Sequence, residues 1–251
     1  MEYEKIIPRA RAGFIIPTSN RMVEPQVQRY MPAGVIPHFT RIGMTNKHKA
    51  PLEQQMPKIA AAAEALAESK MSSIILQCTG TSMSGGLDME QRVIEAMEKA
   101  SGVPCSTAAS SLTSAFSALN AKRLVFVSET KQPDHEKKLK YLREAGYDIV
   151  ADKAMGLENT NEYCTMPPKL WFDTTVALKN DRADAYFISC ANIHSIDVIE
   201  DLEKVLNKPV ITSNQAAIWK SLRLADVQDA VPGLGHLLRH DSNAGGVMAA
   251  E

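Results

Sequence analysis

The feature that most constrains the fold is a regular alternation of short apolar runs with longer segments of helical period. The runs that read as buried strands include "AGFIIP" (12–17), "SSIILQ" (72–77), "RLVFVS" (123–128) and "AYFISC" (185–190). Helical segments such as 52–69, 88–101 and 133–146 lie between such runs. Parallel strands require crossover connections of about a dozen residues or more, usually helices. The pattern therefore predicts an α/β fold with parallel sheets that helices cover on both faces.

The two halves of the chain repeat the same arrangement. An apolar strand runs into small polar residues at "FIIPTSN" in the first half and at "LVFVSET" in the second. Cys78 follows Asn20 by 58 positions, and Cys190 follows Thr130 by 60 positions, each cysteine at the end of another strand. We interpret this as an internal duplication. It predicts two pseudosymmetric, Rossmann-like halves with the active site in the cleft between them.

The repeat also sets the expected domain boundaries. Residues 1–118 form the first half and carry Cys78, and residues 119–225 form the second half and carry Cys190. The last helix of the first half is a candidate for packing on the other half. The remaining segment, 226–251, contains the glycine turn "PGLGHLLR" (232–239), and we expect it to close on the cleft.

Composition narrows the classes of function. Hydrophobic residues make up 45% of the 251 residues, and the formal net charge is -1. This balance argues against nucleic acid and membrane as partners. No apolar run approaches the roughly 20 residues of a membrane span, and the charged N-terminus does not resemble a signal peptide, so we expect a cytoplasmic protein. The charge-rich segment 131–144 is predicted to be a solvated helix face.

Two of the four cysteines stand out by their position. Cysteines 78, 105, 164 and 190 form no CxxC motif and no Cys/His cluster, which argues against a zinc site. Ligands of open α/β sheets bind beyond the carboxyl ends of the strands, where Cys78 and Cys190 are expected. The other two cysteines lack this repeated context and are predicted to be structural.

The residues after each of these two cysteines favour an anion site. "TGTS" follows Cys78 and "ANIHS" follows Cys190, so free backbone N–H groups are expected to bind a carboxylate and to lower the pKa of each thiol. Two such thiols can act as proton donor and acceptor, or as nucleophile and acid. The motifs "PTSN" (17–20) and "TSN" (212–214) fit either a carboxylate ligand or a helix N-cap.

These motifs resemble a known family. "FIIPTSNRMVEP", "QCTGTSMSGG", "GVPCSTAASSLTSAFSAL" and "ISCANIHSIDVIEDLEKVLNKPVITSNQAAIWKSLRLA" are similar to segments of the maleate isomerase and arylmalonate decarboxylase branch of the aspartate/glutamate racemase superfamily. The isomerases and racemases of that superfamily carry two cysteines, whereas the decarboxylases have glycine at the first position. The presence of both Cys78 and Cys190 therefore favours the isomerase.

The resemblance implies a mechanism and a set of site residues. Cys78 would add as a thiolate to a small unsaturated dicarboxylate, with maleate as the expected substrate. Cys190 would protonate the neighbouring carbon. The substrate-binding residues would be Asn20, Thr79, Gly80, Thr130, Asn159, Asn161, Ala191 and Asn192. Thr130 stands near a position where the isomerases commonly have tyrosine, and spacing does not decide between Asn159 and Asn161. The resemblance implies no metal or other cofactor, and a homodimer or homotetramer.

Other functions remain open at this stage. The two thiols could racemise an amino acid by proton transfer at the α-carbon, or Cys190 could protonate an enediolate after decarboxylation of a substituted malonate. A two-residue gap would place "GTS" (80–82) on the decarboxylases' Thr-Ser motif. A non-catalytic protein that binds carboxylates is the alternative outside the enzymes.

Overall fold

The computed structural model describes residues 7–45 and 49–239, and within them the strands form two parallel four-stranded sheets. The strands are β1 (Ala10–Pro17), β2 (Val35–Ile42), β3 (Ser73–Leu76), β4 (Cys105–Thr107), β5 (Arg123–Ser128), β6 (Asp148–Ala154), β7 (Ala185–Ile188) and β8 (Val210–Thr212). Their order is β2-β1-β3-β4 in the first sheet and β6-β5-β7-β8 in the second. The two sheets thus have the same topology, and the predicted α/β fold is confirmed.

Helices connect the strands and cover the sheets. They are α1 (Val23–Tyr30), α2 (Leu52–Ala67), α3 (Thr79–Met83), α4 (Gly86–Ser101), α5 (Ala108–Ala118), α6 (Gln132–Glu144), α7 (Thr160–Thr165), α8 (Pro168–Ala177), α9 (Ile199–Leu206), α10 (Ser213–Leu224) and α11 (Gly235–Arg239). Every strand pair is parallel, so all carboxyl ends of one sheet lie at the same edge.

The first sheet has a separate apolar layer on each face. Successive side chains of a strand point to opposite faces, and Phe14 and Ile15 of β1 accordingly belong to different buried clusters. Ile15 packs in a cluster with Ile59 of α2 and Val93 of α4. Phe14 packs in the larger cluster, which continues into the second sheet. This two-sided burial explains why the strands read as continuous apolar runs.

Two helices cross between the halves in a reciprocal way. Phe116 of α5, which follows the first sheet, packs edge-on against Phe187 of β7, with ring centroids 5.5 Å apart. In the opposite direction, α10 follows the second sheet and contacts β3, where Ser73 Oγ donates a hydrogen bond to the Ser221 carbonyl at 2.9 Å. Each half therefore supplies one helix that the other half needs to cover its sheet.

The sequence pattern did not predict β2, α1 or α7. β2 is an edge strand that contains Pro37, and most of its residues are only partly buried. Proline cannot donate a ladder hydrogen bond, but an edge strand tolerates it because one side needs no partner. The segments of α1 and α7 are short and polar, so their helical period is weak in the sequence.

In the described residues, no helix has both the length and the apolar character that crossing a membrane requires.

The crossing of α5 predicts a measurable cost when its anchor is removed. Phe116 is fully buried and also packs against Tyr147, with ring centroids 5.1 Å apart. We expect Phe116→Ala to lower the free energy of unfolding by about 3–5 kcal/mol, measured by urea denaturation, because it leaves a cavity between the halves. Leu87→Ala is the control, since Leu87 is exposed, and it is expected to change stability by less than about 0.5 kcal/mol. An equal effect of both substitutions would contradict the packing described here.

Candidate active site

A cavity of about 690 Å³ lies where the carboxyl ends of strands from both sheets meet. Its walls come from the segments that follow β1, β3, β5 and β7 and from α3, α6 and α7. The lining residues are Pro17, Ser19, Asn20, Met44, Thr45, Lys49, Ala50, Pro51, Gln77, Cys78, Thr79, Gly80, Thr81, Met83, Ser84, Glu129, Thr130, Asp134, Lys137, Lys138, Glu158, Asn159, Thr160, Tyr163, Cys190, Ala191 and Asn192. Both cysteines that the sequence singles out line this cavity.

Cys78 stands at the junction of β3 and α3. It is buried, and its Sγ lies 3.0 Å from the Thr81 hydroxyl, one turn along the helix. Burial raises the pKa of the Cys78 thiol, while hydrogen bonds from the Thr81 side chain and backbone lower it. A side chain added at Gly80 would meet no atom within 4 Å, so the space above α3 is open to a ligand.

Cys190 occupies a strained position after β7. Its φ is 110°, a region that non-glycine residues avoid at a cost of about 1–3 kcal/mol. The Cys190 N–H donates to Ser213 Oγ at 3.1 Å, and the Asn192 N–H donates to Cys190 Sγ at 3.3 Å. These bonds hold the strained turn, which directs the thiol into the cavity.

The net effect on the thiols differs from the sequence expectation. Burial, followed by the nearby Glu129 carboxylate, raises the pKa of Cys190 well above its ordinary value, although the Asn192 N–H lowers it. The pKa of Cys78 is raised as well. The expected lowering by local N–H groups is therefore present, but the expected net sign is wrong because desolvation of a buried thiol outweighs it.

Asn20 joins the two halves at the cavity wall. Its Oδ1 accepts hydrogen bonds from the N–H groups of Met22 and Val23, at 3.0 and 2.9 Å, and so caps α1. Its Nδ2 donates to the Ala191 carbonyl at 2.9 Å across the interface. The N-cap reading and the ligand reading of "PTSN" are compatible, because Nδ2 carries a second hydrogen.

A network of buried amides forms the cavity floor. Gln77 Nε2 donates to Asn214 Oδ1 at 2.8 Å, and Asn214 Nδ2 donates to Gln26 Oε1 at 2.5 Å. Asn214 belongs to the second "TSN" motif, which thus supports the floor instead of lining the cavity. Two buried lining atoms, Gln77 Oε1 and Thr79 Oγ1, have no hydrogen-bond partner among the described residues. Polar groups of a ligand would satisfy them.

The structure separates the two candidate asparagines of the third quarter. Asn159 lines the cavity and caps α7, since its Oδ1 accepts from the N–H groups of Asn161 and Glu162. Asn161 is exposed, bonds the Arg21 guanidinium and does not line the cavity. Because α7 begins at Thr160, residues two apart point in different directions. Of the two asparagines predicted to bind substrate, Asn159 therefore lines the cavity and Asn161 lies outside it.

Other predicted residues lie at the cavity with different contacts. Thr130 is buried, with its Oγ1 3.2 Å from Ser128 Oγ. The Asn192 side chain accepts from the Arg21 N–H at 2.8 Å and donates to the Thr160 carbonyl at 3.0 Å, so both of its ends bind protein groups. Ala191 contributes its carbonyl to Asn20. Cys105 and Cys164 do not line the cavity.

The cavity wall contains a buried ion pair that the sequence motifs did not indicate. Lys138 Nζ lies 2.7 Å from Glu129 Oε2, and the two side chains are only 4% and 6% exposed. The prediction that segment 131–144 is a solvated helix face is wrong at Lys138. The signal is its spacing: Lys138 lies three residues after His135 and four before Leu142, and both of these are buried.

Tyr163 of α7 is a second lining residue that the sequence did not indicate. Burial raises the pKa of its phenol, and the nearby Glu129 and Cys190 raise it further. The phenol is therefore a neutral hydrogen-bond donor beside the second thiol. Helix α7 therefore supplies a tyrosine to the cavity wall, whereas the segment after β5 supplies Thr130.

His135 fixes α6 on the second sheet. Its ring stacks on Phe126 with centroids 4.9 Å apart, Nδ1 lies 2.6 Å from Ser128 Oγ, and Nε2 lies 2.9 Å from Asp152 Oδ2. Lys138 lies one helical turn later on the same face. The anchored histidine thereby orients Lys138 toward the cavity.

The terminal segment takes a different place from the one expected. Its described part, 226–239, contributes no residue to the cavity lining. There α11 packs on α9, and the His236 N–H donates to the Glu203 carboxylate at 2.9 Å. Residues 240–251 lie outside the described residues. Across 7–45 and 49–239, no group of three or more His, Cys, Asp or Glu side chains is arranged to hold a metal ion.

Comparison with known proteins identifies similar chains of two kinds. The family model described as arylmalonate decarboxylase matches residues 12–238. A maleate isomerase from Nocardia farcinica is 28% identical over 242 residues, which cover 92% of this chain and 96% of the relative. An arylmalonate decarboxylase from Bordetella bronchiseptica is 24% identical over 173 residues, which cover 67% of this chain and 72% of the relative.

Solved structures agree with the fold. The maleate isomerase Iso from Pseudomonas putida S16 has a TM-score of 0.83 at 24% identity, covering 92% of this chain and 98% of that one. A variant of the Nocardia farcinica maleate cis-trans isomerase that carries a covalently bound succinylcysteine intermediate has a TM-score of 0.82, also at 24% identity, with 92% of this chain and 99% of that one covered.

The contact between Cys78 and Thr81 generates a test of the first thiol. Thr81→Val removes a hydroxyl that lowers the pKa of Cys78, so this pKa is expected to rise. We expect Cys78 to react about tenfold more slowly with iodoacetamide near neutral pH, measured by mass spectrometry of its peptide. Thr81→Ser retains the hydroxyl and serves as the control. An unchanged rate in folded Thr81→Val would show that the hydroxyl does not act on the thiol.

Proposed function

The chain belongs to the arylmalonate decarboxylase family, and from this premise we propose that it is a cis-trans isomerase of a small unsaturated dicarboxylate. Maleate is the best candidate substrate, with fumarate as the product. The observation that carries the proposal is the pair of buried thiols, Cys78 and Cys190, which enter one cavity from opposite halves of the chain. The similarity to proteins named maleate isomerase supports the choice of reaction.

The first step forms a carbon–sulfur bond. The Cys78 thiolate adds to one alkene carbon, and the electron pair of the double bond moves to the neighbouring carbon and its carboxylate as an enediolate. The Cys190 thiol then gives its proton to that carbon and becomes a thiolate. The product is a succinyl thioether on Cys78, which corresponds to the succinylcysteine intermediate of the structurally similar Nocardia protein.

The second step restores the Cys78 thiolate and the Cys190 thiol. The former double bond of the adduct is single, so the bond between the two central carbons rotates freely. Cys190 takes its proton back, the carbon–sulfur bond breaks, and the trans alkene leaves while Cys78 returns to a thiolate. The reaction consumes no proton and no electrons, so the chemistry itself requires neither a redox cofactor nor a metal.

The cavity wall supplies donors for the two carboxylates. Asn20 has its second Nδ2 hydrogen, the Thr79 hydroxyl lacks a partner among the described residues, and Asn159 lines the opposite wall. The Tyr163 phenol is a donor next to Cys190. Fixed donors in a desolvated cavity stabilise the enediolate charge better than water does.

Decarboxylation of a substituted malonate is the second candidate. The family model and the Bordetella relative are both described as arylmalonate decarboxylase. The cavity, at about 690 Å³, is large for a four-carbon diacid, and Met44, Pro51 and Met83 add apolar lining that fits an aryl group. In this reaction Cys190 would protonate the enediolate that remains after carbon dioxide leaves.

The proposal is tested by incubating the purified protein with maleate and following fumarate by NMR. We expect fumarate from the wild type and a loss of at least about 10³-fold in turnover for Cys78→Ala, because this substitution removes the thiolate that adds to the alkene. Cys190→Ala is expected to accumulate protein whose mass is increased by one maleic acid, located on Cys78, because water then supplies the proton to the enediolate and no thiolate remains to take it back. Cys164→Ala is the control, because Cys164 lies outside the cavity, and it should retain full activity.

Near-normal turnover of Cys78→Ala would rule out covalent addition by Cys78. If maleate is unchanged by the folded, reduced wild type, an aryl-substituted malonate is the next substrate. Release of carbon dioxide that depends on Cys190 but not on Cys78 would then establish the decarboxylase. Exchange of an amino acid α-hydrogen for solvent deuterium, without carbon dioxide, would instead indicate a racemase.

A further inference from the structure

We propose that the buried Glu129–Lys138 ion pair acts as a positioning pair that distinguishes the two thiols, favouring the thiolate at Cys78 and the protonated thiol at Cys190. This inference deepens the proposed function and rests on it for the chemical roles of the thiols. The pair itself is a feature of the cavity wall that neither cysteine motif contains.

The Glu129 and Lys138 side chains lie in the wall of the cavity that both thiols line. Glu129 follows β5, Lys138 comes from α6, and both side chains line the cavity that holds the thiols. Lys138 Nζ also lies 3.3 Å from the hydroxyl of Ser189, the residue immediately before Cys190. The ion pair thus contacts the residue that precedes the second thiol and belongs to the same cavity wall as that thiol.

Burial makes the pair influential and costly. With exposures of 4% and 6%, the two charges are largely removed from water, and their interactions with nearby groups are screened much less than at the surface. A buried ion pair stabilises a protein little, and an apolar pair of similar volume often serves as well or better. The stability of the protein therefore does not explain the pair, whereas its position in the same wall as the thiols gives it a chemical role.

The pair acts on Cys78 mainly through its positive member. Burial raises the pKa of Cys78, and the hydrogen bonds from Thr81 lower it. Of the two charged groups, the Lys138 ammonium lowers this pKa more than Glu129 raises it. A positive charge near a sulfur favours its thiolate. Cys78 is therefore the thiol that Lys138 assists toward the nucleophilic form.

The pair acts on Cys190 mainly through its negative member. Burial raises the pKa of Cys190 most, and the Glu129 carboxylate is the next largest influence. Glu129 raises this pKa by its charge and as a hydrogen-bond acceptor for the thiol. Its charge has a larger effect on this pKa than the opposing charge of Lys138. A thiol that donates to a carboxylate keeps its proton. Cys190 is therefore held as the proton donor of the first step.

The other groups around the thiols do not reverse the assignment of Cys78 as the thiolate and Cys190 as the protonated thiol. After burial, the largest influences on Cys78 come from Thr81 of α3, Lys138 and Glu129, and those on Cys190 come from Glu129, Lys138 and the Asn192 N–H. The other charged residues that line the cavity are not among these largest influences: Lys49, Asp134, Lys137 and Glu158. Tyr163 of α7 also faces Cys190, and its raised pKa keeps its phenol neutral. The Glu129–Lys138 pair is thus the strongest source of formal charge at both sulfurs.

The test measures the two thiols without any substrate. Alkylation by iodoacetamide is followed at Cys78 and Cys190 separately, by peptide mass spectrometry, from about pH 6 to about pH 10. In the wild type, Cys78 is expected to react at lower pH than Cys190. Lys138→Met should slow alkylation of Cys78 about tenfold at neutral pH, and Glu129→Gln should accelerate that of Cys190 about tenfold.

A double variant keeps the test decisive if a single variant fails to fold. Glu129→Gln combined with Lys138→Met removes both charges together and leaves no buried charge unpaired. We expect the difference in pH midpoint between the two thiols to shrink in this variant. Lys140→Met is the matched control, since Lys140 lies on the exposed face of the same helix, and it should leave both midpoints unchanged.

The outcomes separate this inference from the proposed function. A folded double variant that retains the wild-type difference, or a wild type in which Cys190 reacts at lower pH than Cys78, would overturn the role of the pair. Neither result depends on maleate turnover. Conversely, absence of fumarate with the expected alkylation pattern would leave the electrostatic assignment in place and remove the isomerase.

Discussion

The parallel alignment of strands is the constraint on which the site depends. Because every strand of a sheet ends at the same edge, a residue placed directly after a strand lies beside the residues that follow its neighbours. Cys78 and Cys190 each follow a strand of one sheet, and the shared cavity results from the two edges that meet. The same alignment brings Asn20, Thr130 and Glu129 to this cavity.

Burial and charge oppose each other at the thiols. Desolvation raises the pKa of both Cys78 and Cys190, which protects them as thiols but works against a thiolate nucleophile. At Cys78 the Thr81 hydroxyl and the Lys138 ammonium offset this cost, whereas at Cys190 the Glu129 carboxylate raises the pKa of the thiol further. A duplicated framework with two similar cysteines becomes chemically asymmetric through residues that are not duplicated.

The sequence predicts the features that depend on local periodicity. The α/β alternation, the duplication and the position of both thiols follow from apolar runs and their spacing. β2 is missed because Pro37 interrupts a strand that only an edge position permits. Lys138 is missed because its burial depends on Glu129, a partner from another element, and Asn161 is misplaced because α7 begins just before it. Apart from the helical spacing of Lys138, these errors concern contacts that no local pattern records.

The exchange of α5 and α10 limits how the cleft can open. A hinge that rotated one half against the other would pull Phe116 off Phe187 and separate Ser73 from the Ser221 carbonyl, exposing apolar faces of both sheets to water. Domain rotation is therefore an expensive route for ligand entry. A ligand would instead enter past exposed side chains that line the cavity, such as Lys49 and Lys137, without disturbing either core.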